Sequence, residues 1–493
     1  MKPTLNSVAL NNVLEKSHLK PIASNLEVRG ITHDHRKVEP GFVFAAIPGF
    51  KRHGIEFASD AIALGAVAIL TDSVGAKLAV DGIEVILSDD VRHDMAILAK
   101  HIYQDAQGKL LSVGVTGTNG KTTTTNMIST GFKALEQNPL LIGTIGISLG
   151  DDSFSSSRTT PESTDLHSIL LGAHQKGARS LVMEVSSHAL TLGRVDGIKY
   201  DVAVFTGLTQ DHLDFHADMN DYFAAKAKLF TTERSEQAVI CIDDAWGVEL
   251  VQKIDIPVVT YAVANPNADW QAKNIEVLAD GKTQFTATFK DKEVKVVLAI
   301  PGDFNIANSL AAIAVAEVLK LDLHKFVSAF SDIKVPGRLE RIESGQDFVA
   351  LVDYAHTPDA VARAIQVART CATGKVISVL GCGGDRDPHK RAPMGENAGL
   401  YSDLVIVTDD NPRTEEPSEI RAEVLRGAQS TQAEIVEVAN RLEAIHYAVK
   451  IANPGDCVIV LGKGHESGQE VNGVIAPFDD RIVLAEALRA RMT

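Results

Sequence analysis

Leu111-Ser112-Val113-Gly114-Val115-Thr116-Gly117-Thr118-Asn119-Gly120-Lys121-Thr122-Thr123 decides how the rest of the chain reads. Its first six residues have the pattern of a buried strand, and a helix-like stretch starts at Lys121. Between them, Gly117 and Gly120 let the backbone turn tightly and aim N–H groups at phosphate oxygens. Lys121 supplies positive charge to β- and γ-phosphates, and Thr122 offers a hydroxyl to Mg²⁺. Thr118, Asn119 and Thr123 complete the loop. The general P-loop pattern would place glycine five residues before Gly120, where Val115 stands, so this is a shortened variant. A turn that merely caps a helix needs neither the preceding strand nor the Gly-Lys-Thr ending, and nucleotide binding is the expectation.

On either side the chain has the grammar of layered α/β domains. Short strand runs at Phe42–Ile47 and Ala66–Leu70 mark a small N-terminal α/β unit, taken as residues 1–87. Runs at Leu181–Val185, Val202–Phe205 and Ala238–Ile242, spaced by helical segments, predict a parallel sheet in a central unit, residues 88–335. Three alternating runs over 274–300, broken at Asp280-Gly281 and Lys290-Asp291-Lys292, predict a short antiparallel meander attached to it. Runs at Val349–Asp353, Val376–Leu380, Leu404–Val407 and Cys457–Leu461 predict a second, smaller doubly wound unit, residues 336–493. That unit lacks the GxGxxG fingerprint, which argues against hydride transfer.

Composition narrows the function. Lys and Arg total 48 against 64 Asp and Glu, a net charge of −16 that disfavours general nucleic-acid binding. Four cysteines without a CxxC pair are neither a zinc site nor a disulfide framework, and point to a reducing compartment. No apolar run approaches the ~20 residues of a membrane span, and the N-terminus shows no signal-peptide core. A soluble cytoplasmic protein without membrane insertion is expected. Glu184, ending its strand run, is a candidate Mg²⁺ ligand; the plain alternative is a carboxylate capping the next helix. Asp211-His212-Leu213-Asp214-Phe215-His216 gathers polar ligands, although spacing alone does not separate it from a hydrated loop.

Taken in order, these motifs resemble the Mur ligases, the ATP-dependent amide ligases of the bacterial cell-wall peptide. The resemblance spans essentially the whole chain. Its markers are Thr116–Thr123, Glu184-Val185-Ser186-Ser187-His188, Asp211-His212-Leu213-Asp214, Asn305-Ile306-Ala307-Asn308, Gly337-Arg338-Leu339-Glu340 and Asp353-Tyr354-Ala355-His356-Thr357-Pro358. Gly383-Gly384-Asp385-Arg386-Asp387, Asp410-Asn411-Pro412-Arg413 and Gly462-Lys463-Gly464-His465-Glu466 complete the set. The resemblance implies a UDP-sugar-binding domain, a central ATPase domain and a C-terminal Rossmann-like domain that binds an amino acid. It is nearest the branch that adds meso-2,6-diaminopimelate to the D-glutamate carboxylate of UDP-N-acetylmuramoyl-L-alanyl-D-glutamate. ATP would phosphorylate that carboxylate, and the amine would attack the acyl phosphate. A carboxylate repels nucleophiles; phosphorylation removes its charge and creates a leaving group, so the protein supplies mainly positioning and cations.

The resemblance also implies roles for residues. Lys121, Thr122 and Glu184 would hold phosphate and a first Mg²⁺, and His212 a second. Lys226 would be carbamylated by CO₂ and help hold that second ion; by sequence alone it is no different from Lys228. Asn305, Asn308, Arg338 and Asp353 fall where the family contacts ATP, and Arg338 would neutralise the transferring phosphoryl group. His33, His35 and the segment Phe50-Lys51-Arg52 match the uracil side. Thr159, Thr160, Ser186, Leu192 and Arg194 match the muramoyl-dipeptide site. Two positions depart from the pattern: Gly207 stands where Asn is common, and Leu192 where a Gln would contact substrate. For the incoming amino acid the expected set is Arg386, Asp410, Asn411, Pro412, Arg413, Gly462 and Glu466. Diaminopimelate carries a distal carboxylate that lysine lacks. Arg413, on the loop after Leu404–Val407, would clamp it with help from Arg386, while Glu466 and the Gly462 backbone take the distal ammonium. A monomer is expected. The rivals are the lysine-adding branch, a folylpolyglutamate-synthetase-type ligase, and a P-loop regulator without enzymatic activity.

Overall fold

The computed structural model describes residues 1–49, 52–79, 81–156, 158–278 and 282–492. Phe50 and Lys51 of the uracil-side segment lie outside the described residues, as does the Asp280-Gly281 turn. Among the described residues no helix is long and apolar enough to cross a membrane.

The chain builds three main sheets. The first is parallel, in the order Gly30–Thr32, Phe42–Ala45, Ala66–Thr71, Glu84–Leu87. The central sheet has eleven strands. Its parallel heart runs Pro139–Gly143, Ser180–Glu184, Leu111–Thr116, Tyr200–Phe205, Ser235–Cys241, Val258–Ala262. The third sheet orders Glu340–Arg341, Val349–Asp353, Cys457–Leu461, Val376–Leu380, Leu404–Val407, Glu434–Glu437, parallel except for its first strand.

The predicted meander is present as Trp270–Val277, Thr283–Phe289 and Lys292–Leu298. It continues the central sheet rather than standing beside it, because Trp270 pairs in parallel with Tyr261 at the strand end. At the opposite edge, Gly146–Leu149 and Asp152–Phe154 add antiparallel strands that the hydrophobic pattern did not reveal.

Strand alternation explains how the layers join. Val113, Val115, Val202 and Val204 point to one face of the central sheet, in one apolar cluster with Leu351, Val361, Ile365 and Val405 of the C-terminal part. Leu181, Met183, Ala203 and Phe205 point to the other, in a cluster with Leu10, Ile31, Val43 and Met95. Period-2 alternation therefore gives the central sheet two buried faces. Helix Val91–Ile102 buries Met95, Leu98, Ala99 and Ile102 in that second cluster.

Candidate active site

Strand Leu111–Thr116 lies between Ser180–Glu184 and Tyr200–Phe205, so its following loop emerges beside Glu184 and Thr206. Gly117 has φ +148°, and a Cβ there would sit 2.0 Å from Thr206 Oγ1. Gly120 has φ +85°, and its Cβ would sit 2.5 Å from Asn308 Oδ1. Only glycine meets both the conformation and the closeness. Helix Lys121–Ala134 starts directly after this loop and directs its N-terminus at the cavity beyond.

The cavity encloses about 260 Å³. Its lining includes Thr118 to Thr123, then Thr159, Thr160, Ser186 and Arg194, and also Glu184, His212, Lys226 and Arg338. Lys121 Nζ donates to the carbonyls of Gly117 and Thr118, both at 2.8 Å. Lys226, on helix Met219–Ala227, donates to Gly117 O at 2.9 Å and lies 4.5 Å from the Tyr222 ring centroid. Burial, with Lys121 nearby, pushes the Lys226 ammonium well below its ordinary range. Burial also lowers Lys121, against the pull of Glu184 and Asp211.

Glu184 is buried and accepts from Thr144 N at 2.9 Å and Thr144 Oγ1 at 3.0 Å. It does not cap the following helix; that role falls to Ser186, whose hydroxyl accepts from Ala189 N. His212 holds φ +55°, uncommon for a side-chain-bearing residue. Burial drops its pKa to about 3, opposed by Asp211, so the ring is neutral at ordinary pH.

Arg338 reaches across from the C-terminal part. Its Nη2 donates to Thr122 Oγ1 at 2.9 Å, and its guanidinium stacks 4.5 Å from the Tyr354 ring centroid. Its Nε is buried without a hydrogen-bond partner among the described residues, the state of a donor awaiting an anion. His465 adds a second crossing, its Nε2 lying 3.2 Å from Thr144 O.

Other expected residues lie outside the cavity lining. Asp353 accepts from Leu339 N at 2.7 Å and Ala355 N at 2.8 Å, which fixes the loop that carries Arg338. Asn308 accepts from Thr124 Oγ1 and donates to Asn305, whose own amide donates to Pro301 O. His33 Nδ1 meets Thr164 Oγ1 at 2.9 Å, and His35 stacks on Phe57. The Leu192 carbonyl accepts from Arg92. Gly207 has a structural reason: at φ +120° a Cβ would lie 2.7 Å from Asp244 Oδ2, and Asp244 accepts from Leu208 N. Thr144, Ser187, His188, Asp211, Tyr354 and His356 line the cavity although the sequence assigned them no role there. All but Thr144 fall within the quoted motifs.

The expected amino-acid set gathers after the C-terminal strands. Arg413 holds φ +53°, donates to Gly384 O at 2.6 Å and pairs with Glu470 at 3.4 Å. Arg386 is exposed near Gly383. Asn411 donates to Glu466 Oε2 at 2.8 Å. Behind them Arg441 and Asp480, both without exposure, form a two-bond pair at 2.7 Å, and Arg441 also donates to Leu461 O at 2.8 Å.

Sequence comparison with known families matches three models in order. They are the Mur ligase family catalytic domain over 27–103, the Mur ligase middle domain over 115–316, and the Mur ligase glutamate ligase domain over 337–464. The chain belongs to the Mur ligase family. This Mur ligase is 45% identical over 470 residues to UDP-N-acetylmuramoyl-L-alanyl-D-glutamate–2,6-diaminopimelate ligase of Streptomyces avermitilis, covering 94% of this chain and 93% of that one. It is 39% identical over 476 residues to the Bacillus cereus ligase of the same name, covering 95% of each chain. A solved structure of such a ligase superposes with TM-score 0.70 at 31% identity, over 99% of this chain and 100% of that one. The fold extends to the MurF ligase of Thermotoga maritima in complex with ADP, with TM-score 0.65 at 20% identity over 94% of this chain and 96% of that one.

Proposed function

We propose that this Mur ligase adds meso-2,6-diaminopimelate to the D-glutamate carboxylate of UDP-N-acetylmuramoyl-L-alanyl-D-glutamate, with ATP as phosphoryl donor, in cell-wall peptide synthesis. The observation that carries this reading is identity of 39 to 45% along nearly the whole chain to ligases of that name. The cavity supports it chemically, since a phosphate loop, the buried Arg338 Nε without a partner among the described residues, and polar side chains meet in one chamber.

In this reading Lys121 and the loop N–H groups hold the β- and γ-phosphates. Arg338 balances charge on the group in transfer. Thr159, Thr160, Ser186 and Arg194 orient the dipeptide carboxylate. Mg²⁺ prefers hard oxygens, and the Glu184 carboxylate and the Thr122 hydroxyl are the groups of this lining that would hold it, with His212 the nitrogen expected beside a second ion; among the described residues no three His, Cys, Asp or Glu side chains cluster as a metal site. When bound, Mg²⁺ would offset phosphate charge. An ammonium cannot join that set, but the depressed Lys226 amine would add to CO₂, forming an N–C bond and releasing one proton to solvent, to give an anionic carbamate. The N-terminal unit, residues 1–87, would hold the UDP end, residues 88–335 the ATP, and residues 336–493 the amino acid. The enzyme would act as a cytoplasmic monomer.

Phosphate release from ATP tests the reading. It should require both UDP-dipeptide and diaminopimelate, with L-lysine used roughly 10- to 100-fold less well, because it offers Arg413 no distal carboxylate and leaves it only Glu470 and the Gly384 carbonyl. Comparable use of lysine would move the enzyme to the lysine-adding branch. Phosphate release without the UDP substrate would point to another ligase type.

A further inference from the structure

Lys463 sits at the back of the amino-acid site with no exposed side-chain surface. Its Nζ donates to Asn411 Oδ1 at 3.0 Å and to Glu466 Oε2 at 3.1 Å, and lies 4.0 Å from Asp410 Oδ1. Asn411 Nδ2 closes the triangle by donating to the same Glu466 oxygen. Asn411 Oδ1 accepts a second bond from Glu470 N at 2.9 Å, so its amide orientation is fixed from two sides. Gly462 permits this closeness: with φ +112°, any Cβ there would come within 2.6 Å of Asp410 Oδ2.

A buried ammonium is costly unless it is paired and hydrogen-bonded, and here both conditions are met. Without access to solvent, Lys463 does not itself touch a bound amino acid. Its action is on its neighbours. Two cations, Lys463 and Arg441, lie beside three carboxylates, Glu466, Asp410 and Asp480, so the cluster carries one net negative charge. Both bonds to Glu466 end on Oε2, which leaves Oε1 for a ligand. A site with one surplus negative charge and one committed carboxylate oxygen suits a single ammonium group.

We propose that Lys463 is a positioning residue for amine specificity: it locks Asn411 and Glu466 so that Glu466 Oε1 receives the distal ammonium of the incoming amino acid. The inference rests on the reading that diaminopimelate binds at this loop. Removing the cation would free Glu466 to rotate and leave two carboxylates repelling each other.

The test compares wild type with Lys463→Met, and with Lys463→Gln should the first fail to fold. Each is assayed with diaminopimelate and with 2-aminopimelate, which lacks the distal amine. The KM for diaminopimelate should rise roughly 10- to 100-fold, as expected for losing a hydrogen bond to a charged group. KM for ATP and for the UDP substrate should hold. The wild-type preference for diaminopimelate over 2-aminopimelate, as a ratio of kcat/KM, should shrink by about tenfold or more. A purely structural lysine would lower the yield of active enzyme and leave that ratio alone. An unchanged ratio in a folded variant overturns the proposal. A wild type that does not use diaminopimelate overturns the underlying reading instead.

Discussion

Gly143 ends the strand Pro139–Gly143, next to strand Ser180–Glu184. A Cβ built on it would lie 2.3 Å from Glu184 Oε1. Its φ is one that alanine adopts without strain, so Gly143→Ala adds a methyl group to a folded strand and little else. Ordinary contact needs about 3.4 Å, so the carboxylate must move by roughly 1 Å. That displacement breaks the 2.9 Å bond from Thr144 N. A shift of about 1 Å in a positioning group costs on the order of 10²-fold in rate, about 2.7 kcal/mol of barrier. The assay is steady-state phosphate release at saturating ATP and substrates over a Mg²⁺ titration, with thermal unfolding as the control for folding. We expect kcat to fall by about two orders of magnitude and the Mg²⁺ requirement to rise, with Tm lowered by a few degrees but the enzyme still folded at the assay temperature. Near-wild-type kcat at ordinary Mg²⁺ would refute the reasoning that the Glu184 carboxylate must stand where Gly143 allows it to stand.

Three further outcomes follow from geometry. Arg441→Met leaves Asp480 buried and unpaired and should cost about 3–5 kcal/mol; Arg441→Met with Asp480→Leu should recover much of it, as chemical denaturation would report. Lys226→Ala should lose most activity while Lys228→Ala does not, and short-chain carboxylates should partly restore the former if a carbamate anion is what is missing. His167 is buried, and its folded pKa of about 4 lies below the ordinary 6.5. Its folded form resists protonation, so stability is full above pH 6.5 and declines as pH falls toward 4. The loss is about 3 kcal/mol, and His167→Leu should flatten that part of the pH–stability curve.

What the sequence disclosed and withheld follows from the range of each interaction. The strand, turn and helix at 111–134 were legible because a phosphate loop is local: its glycines, lysine and threonine are neighbours in the chain. The edge strands 146–149 and 152–154 were not, being short and partly exposed. The attachment of the meander to the central unit was legible, but not the pairing that makes it, which rests on two residue pairs. In the cavity, Glu184 was visible as a strand-end carboxylate, but Thr144, which orients it, belongs to no motif and acts partly through its backbone N–H. Tyr354 and His356 stood inside a quoted motif, yet only the approach of the C-terminal part brings them to the phosphate loop. Lys463 was part of a marker segment; its complete burial is what gives it meaning.

The seam between the central and C-terminal parts has a chemical consequence of its own. Arg338 and Thr122 share one hydrogen bond across it, and His465 and Thr144 another. An acyl phosphate is a perishable species: an amine is the better nucleophile toward it, but water is far more abundant and also destroys it. The chamber that would shelter it is assembled from both sides, so its insulation lasts only as long as the seam does. Weakening either crossing should therefore show first as leakage, with phosphate released in excess of amide formed, before it shows as slowness. The ratio of the two products measures how well the fold keeps a reactive intermediate dry.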